Sequence, residues 1–285
     1  MAEFKSFFKK ATGIEGERCK YPTRLDTYGC GCAHNCAYCY ARSLLAFRGL
    51  WNPKAPAVAD VERIKRIIDR ELAPGEVVRL GGMTDCFQPA ELEHRVTLAT
   101  IEALNARRVG YLIVTKGDIV ARPEYLAALD PELAHIQVTV TSTDDRISRL
   151  IEPGAPLPGA RIAAIETLCA AGIDTAIRLS PFVPEFVEVE KIRAIRCGKL
   201  QVEFLRVNNW IAKWLDATGL HVDLQFYAFN DGGYKHLPLF YKQKLLEAFD
   251  GCGKEVSVCE DVERHFLYWQ DNFNPNPEDC CNLRK

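Results

Sequence analysis

The sequence predicts an α/β fold built on a parallel sheet, and three observations carry that expectation. Short β-rich runs recur at residues 77–82, 111–115, 136–141, 175–180 and 202–207. Between them the apolar positions switch to a helical period, and the helical stretches start and stop on capping residues. Repeated β-α alternation needs crossover connections, which set successive strands parallel in a doubly wound sheet or a barrel. Periodicity alone leaves that choice open.

Asp60 can cap a helix that carries Val61, Ile64 and Ile68 on one face and stops at Pro74-Gly75. A second helix is expected over roughly 91–108. A third is expected over 159–171, with Ile162, Ile165 and Cys169 inward and Gly172 as its stop. Residues 272–281, Asn-Phe-Asn-Pro-Asn-Pro-Glu-Asp-Cys-Cys, are too rich in turn formers for a regular helix. No internal repeat or low-complexity linker interrupts the chain.

A chain of 285 residues with 48% hydrophobic content can bury a substantial core. Thirty-six Lys and Arg against 38 Asp and Glu give a net charge of -2, which excludes a whole-molecule field for polyanions. The first 24 residues hold Lys5, Lys9, Lys10, Arg18, Lys20 and Arg24 against three acids. They read as a solvated amphipathic segment rather than a phosphate-binding arm, and Trp210, Trp214 and Asn208-Asn209 read as core packing rather than substrate contacts. Twelve cysteines without an apolar leader at the N-terminus point to a reducing compartment, hence a cytoplasmic location, where clustered cysteines bind metal or do chemistry.

Cys32, Cys36 and Cys39 form a C-x3-C-x2-C run. Three thiolates can hold a 4Fe-4S cluster and leave one iron open for a small molecule such as S-adenosylmethionine, whereas electron-transfer clusters usually take four. Structural zinc also uses short C-x2-C steps, so spacing alone admits both metals.

Context separates them. The cysteine run with Tyr38 and Tyr40, the segment Gly81-Gly-Met-Thr-Asp-Cys-Phe-Gln-Pro-Ala-Glu91, Thr115-Lys116 with Arg122, Thr141-Ser-Thr143 with Glu152-Pro-Gly-Ala-Pro156 and Arg161, and Arg178-Leu-Ser-Pro-Phe-Val-Pro184 follow one another in order. Together, over roughly residues 25–185, they resemble the radical S-adenosylmethionine superfamily and, within it, the spore photoproduct lyase-like group. The resemblance implies a partial parallel (β/α)6-type barrel, here with a cysteine-containing C-terminal extension. It implies residues 1–24 as an N-terminal segment, 25–235 as the barrel and 236–285 as the extension.

It also implies a function. A 4Fe-4S cluster on Cys32, Cys36 and Cys39 would bind S-adenosylmethionine and cleave it reductively to a hydrogen-abstracting 5'-deoxyadenosyl radical, with flavodoxin or ferredoxin as reductant. Tyr38, Gly81, Gly82, Thr84, Asp85, Lys116, Thr141, Ser142 and Arg161 are the expected cofactor-binding residues. The substrate expected from the resemblance is a nucleic acid or nucleotide, with a peptide or small metabolite still open. A nonenzymatic metal-stabilised nucleic-acid-binding module is the competing class.

Cys86 stands where the family more often has proline, and it can be either a hydrogen donor or a small buried hydrophobe. With Tyr40 it forms the expected catalytic set. Cys252, Cys259, Cys280 and Cys281 are numerous enough for an auxiliary iron-sulfur cluster or zinc site, provided that the chain turns sharply at the vicinal pair. No metal role is expected for Cys19, Cys30, Cys169 or Cys197.

Overall fold

The computed structural model describes residues 8–11 and 13–284; Lys5 lies outside them. Eight strands form the main sheet in chain order: β1 (Phe8–Lys10), β2 (Thr23–Leu25), β3 (Val77–Leu80), β4 (Gly110–Thr115), β5 (Ala134–Thr139), β6 (Asp174–Phe182), β7 (Lys199–Phe204) and β8 (Glu255–Val258). β1 runs antiparallel to β2, and all the later neighbours pair in parallel. Among the described residues β1 and β8 do not pair, so the sheet is a barrel left open on one side.

The strand residues explain the curl. Val78 and Leu80, Tyr111 and Ile113, Ile136 and Val138, Ile177 and Leu179, and Leu200 and Val202 pack in the main core beneath the helices. Their alternates point the other way. Leu112 is packed with Tyr21, Phe266, Cys280 and Cys281 in a second, smaller cluster that Val77 and Val114 flank. The polar alternates Gln137, Arg178, Gln201 and Glu203 bind one another across β5, β6 and β7. A sheet apolar on one side and lined by linked polar groups on the other encloses a polar lumen.

The helices follow their caps. Asp60 accepts from the Arg63 amide and opens Val61–Glu71, with Ile64 and Ile68 buried. The helix expected over 91–108 is two helices, Glu91–His94 and Val96–Arg107, because Arg95 adopts a left-handed φ of 50° between them. In Pro158–Ala170 the buried face is Arg161, Ala164, Ile165 and Leu168, while Ile162 and Cys169 are only half-buried. The rotation follows from Arg161, whose guanidinium is held inside by buried partners described below.

Three strands of the main sheet, β1, β2 and β8, escaped the sequence reading. β2 crosses positions 24–25, and Arg24 within it is buried rather than solvated. β8, inside residues 236–285, extends the sheet parallel to β7. Residues 273–281 are turn-rich, as their composition predicts, and the chain end packs back on the barrel: Arg284 N donates to Asp174 at the start of β6, and Lys199 Nζ donates to the Asn282 carbonyl. Trp210 is half-exposed rather than core, and Trp214 lies beneath the Arg42 guanidinium at 4.0 Å. Asn208 caps helix Asn209–Asp216.

Candidate active site

The C-terminal ends of the parallel strands surround one chamber with a cavity volume of about 210 Å3. This is where α/β barrels collect their chemistry. Cys32, Cys36 and Cys39 all line it, on the loop that follows β2.

That loop is held from several sides. Asn35 N donates to the Cys32 carbonyl, Ala37 N to Ile151 O and Ala33 N to Gln88 Oε1 at 2.9 Å. Gly154 N donates to His34 O, and a Cβ at Gly154 would stand 1.8 Å from the Ala33 carbonyl oxygen. Only glycine permits that approach. Gln88 and Gly154, both inside motifs that the sequence reading singled out, are therefore loop anchors. Glu91 is another structural member: wholly buried, it accepts from the Tyr28 and Tyr125 hydroxyls and from the Thr97 and Leu98 amides.

The three sulfurs suit a cluster. No three candidate ligand atoms here lie within 4.8 Å of one another among the described residues, whereas tetrahedral zinc with bonds of about 2.3 Å needs sulfurs about 3.8 Å apart. His34, which the sequence reading missed, is buried beside them. Its Nδ1 is 3.3 Å from the Asp85 carboxylate, but neither ring nitrogen has a hydrogen-bond partner in good geometry. A buried donor left open in this position is what the sulfides of a bound cluster would satisfy.

The expected cofactor residues divide into chamber lining and support. Gly81, Gly82, Thr84, Asp85 and Lys116 line the chamber, with Tyr38 and Tyr40. Gly81 has φ 82°, and a Cβ there would meet the Val114 carbonyl oxygen at 2.6 Å. Asp26, also missed by the sequence reading, accepts from the Gly82 and Met83 amides and fixes this strand end. Asp85 accepts from the Thr115 hydroxyl and the Lys116 amide, both at 2.6 Å, tying β3 to β4. Burial opposes its charge, but His34, Thr115 and the Lys116 amide hold the carboxyl well below the usual range. The Lys116 ammonium lies 5.5 Å from the Tyr38 ring. Burial works against its charge too, yet Cys36 and Glu152 raise its pKa and keep it protonated.

Thr141, Ser142 and Arg161, also expected at the cofactor, stand behind this lining. The Tyr38 hydroxyl is 3.0 Å from the Thr141 hydroxyl and donates to Glu152, and Glu152 also accepts from Arg161. Arg161 further donates to the Pro156 and Thr139 carbonyls. Ser142 closes a local turn with Asp144. These residues position Tyr38 and the strand ends, because their polar atoms are already engaged inside the protein.

Cys86, expected in the catalytic set, is buried in the main core and does not line the chamber, and burial raises its thiol pKa well above the ordinary value. That placement favours the small-hydrophobe reading. Replacing Cys86 by alanine should leave 5'-deoxyadenosine formation unchanged and lower stability by about 1 kcal/mol, as read by product chromatography and urea unfolding. Tyr40 does line the chamber, with its hydroxyl on the Gly82 carbonyl and the Arg206 guanidinium 4.4 Å from its ring centre.

Glu260, Asp261 and His236 could also ligate an ion. Lys242 and Arg206 already pair with the two carboxylates, so this is an ion-pair network.

An open parallel α/β barrel with a three-cysteine loop at its strand ends defines a class of radical enzyme. Residues 27–192 match the model of the Radical SAM superfamily, and the chain belongs to that family. The family implies a 4Fe-4S cluster and S-adenosylmethionine. Uncharacterized proteins of Mycobacterium tuberculosis and Mycobacterium bovis are 31% identical over 167 residues, 55% of this chain and 49% of theirs. One of Methanocaldococcus jannaschii is 27% identical over 164 residues, 57% of this chain and 61% of its own. The chain thus spans about half the length of the mycobacterial relatives it matches. Among solved structures, spore photoproduct lyase complexed with dinucleoside spore photoproduct has a TM-score of 0.66 at 15% identity, covering 91% of this chain and 81% of that one. Streptococcus suis SuiB bound to S-adenosylmethionine has a TM-score of 0.54 at 11% identity, covering 90% and 55%. At these identities the likeness is one of fold. No helix among the described residues is long and apolar enough to cross a membrane.

Proposed function

We propose that this enzyme abstracts hydrogen from a nucleotide or a short nucleic-acid segment held in the chamber. The observation that carries the reading is the Arg206–Tyr40 stack, a planar cation 4.4 Å from an aromatic ring at the chamber wall. Such a pair offers a stacking platform for a base. The solved structure of similar fold that holds a dinucleoside lesion points the same way. Chamber charges are nearly balanced: Glu203 pairs with Arg178 and Asp261 with Arg206. That favours one or two nucleotides over a long polyanion.

Cys32, Cys36 and Cys39 would hold the cluster, and Lys116, a buried cation in the chamber lining, would meet the carboxylate of S-adenosylmethionine. When bound, cluster and S-adenosylmethionine supply the one-electron cleavage that yields methionine and the 5'-deoxyadenosyl radical, with a flavodoxin or ferredoxin as donor. The protein's own part is positional. Gly81 lets the β3 end lie close to the Val114 carbonyl of β4, where a side chain would clash. Asp26 orients the Gly82 and Met83 amides. The Glu152–Tyr38 hydrogen bond fixes a ring against the cysteine loop, and the deep chamber limits access of water to a reactive species.

The test is anaerobic turnover with S-adenosylmethionine, reductant, and separate perdeuterated pools of nucleosides, oligonucleotides, peptides and small metabolites. Deuterium passed from a nucleoside-containing compound into 5'-deoxyadenosine, with Arg206→Ala raising KM for that compound at least tenfold, is expected. Deuterium that reaches 5'-deoxyadenosine only from the peptide or metabolite pools overturns the reading.

A further inference from the structure

The cysteines that converge at the floor of the chamber are not the set expected from the sequence. Cys252 precedes β8 and Cys259 follows it, so four extended residues, about 13 Å of chain, lie between them. Cys252 packs beside the main core and is absent from the chamber, while Cys259, Cys280 and Cys281 line it. The fourth position belongs to Cys19, in the segment ahead of β2. It lines the same chamber and packs with Cys259, Cys280 and Cys281 around the same small apolar cluster. None of the four is in a disulfide.

The vicinal pair meets the condition its spacing imposes. Cys281 N donates to Asp279 Oδ1, Asn282 N donates to the Asp279 carbonyl, and Asn282 takes a φ of 50°. Residues 280–281 therefore lie in a turn, and both side chains reach the chamber. Asp279 is itself pinned by the Tyr21 hydroxyl at 2.6 Å, and Gln201 Nε2 donates to the Cys280 carbonyl at 2.6 Å. The turn is built into the barrel at both ends.

Its electrostatic surroundings suit anionic sulfur. Arg79 on β3 and Arg178 on β6 both feel the Cys259 and Cys281 sulfurs. Arg178 is 2% exposed, and its Nε has no hydrogen-bond partner. Cys280 lies within hydrogen-bond reach of both Cys259 and Cys281, but no three of the four sulfurs lie within 4.8 Å of one another, whereas a tetrahedral zinc site needs all its edges at roughly 3.8 Å.

We propose that Cys19, Cys259, Cys280 and Cys281 hold a second iron-sulfur cluster at the floor of the chamber that Cys32, Cys36 and Cys39 line. Four protein ligands leave no open iron, so this cluster carries electrons or rigidifies the chamber floor; it does not bind S-adenosylmethionine. The assignment is independent of the nucleotide reading.

The test uses the full chain, reconstituted anaerobically with ferrous iron and sulfide. The C32A/C36A/C39A variant should keep roughly two to four irons per chain, with matching sulfide and a paramagnetic signal on reduction. Adding Cys19→Ser or Cys281→Ser should remove more than half of that iron, and adding Cys252→Ser should remove none. Should the combined variants fail to fold, single Cys19→Ser and Cys281→Ser changes in the otherwise intact chain should lower total iron by the same amount. The proposal is overturned if a natively folded C32A/C36A/C39A variant retains no iron or binds only zinc. It is equally overturned if retained iron survives Cys281→Ser or is lost on Cys252→Ser. A wild-type chain holding only about four irons and still cleaving S-adenosylmethionine would refute the second site while leaving the family chemistry intact.

Discussion

Cys36→Ala should abolish reductive formation of 5'-deoxyadenosine and remove about four irons per chain, as measured by product chromatography and iron assay after anaerobic reconstitution. Cys36 is buried on the chamber wall between two loop neighbours, and the Ala37 amide beside it is anchored on Ile151. With one of three thiolates gone, the cluster would keep two protein ligands, and the carboxylates of Asp85 and Glu203 are engaged elsewhere: Asp85 is held by Thr115 and Lys116, and Glu203 by Arg178 and Ser180. Cys30→Ala is the control. Cys30 sits six residues away but does not line the chamber, so its loss should leave iron and product unchanged.

Arg161→Leu should be the most damaging substitution outside the cysteines. Arg161 is 1% exposed, and its guanidinium is the cation on the wholly buried Glu152. Removing it strands a carboxylate in the interior, which costs about 3–5 kcal/mol. In a domain of this size that lowers Tm by about 10 °C, measurable by calorimetry. Tyr38 loses its fixed partner at the same time, so S-adenosylmethionine cleavage should fall further than stability alone explains. The double change Arg161→Leu with Glu152→Leu should recover part of the stability, because no charge is left stranded.

The same pair sets a pH dependence. Burial works against the Glu152 charge, but Arg161, Lys116 and the Tyr38 hydroxyl lower its pKa to about 2 from an ordinary 4.5. A carboxyl whose folded pKa is depressed contributes stability that is complete above pH 4.5 and is lost as pH falls toward 2. Wild-type stability should therefore drop across that window, and Glu152→Gln should flatten the drop; urea midpoints at pH 5, 4 and 3 would read it.

Strand order and helix starts were legible because they depend on neighbours in the chain. Asp60 caps where its side chain can reach the Arg63 amide, and residues 77–80, 110–115 and 174–180 alternate as a two-sided sheet demands. The cysteine spacing was legible for the same local reason. Less visible were β2 and β8, three and four residues long, whose strand character comes from pairing with β3 and β7. His34 and Asp26 were overlooked because a single polar residue carries no periodic signal. Cys86 read as a hydrogen donor or a small hydrophobe and Ser142 and Arg161 as cofactor contacts from their motifs, and their side chains turn to the core, a local turn and Glu152.

The chain by itself determined the class of chemistry: three cysteines within eight residues, followed by ordered strand-end motifs, admit few other readings. Which polar residues face the chamber and which merely brace it was decided only in three dimensions, because a side chain's direction depends on strand register and on burial among partners far away in sequence. The floor cysteines make the point most plainly. Cys19 and Cys281 are 262 residues apart, and only a barrel left open beside β8, with the chain end folded back into it, can bring them together.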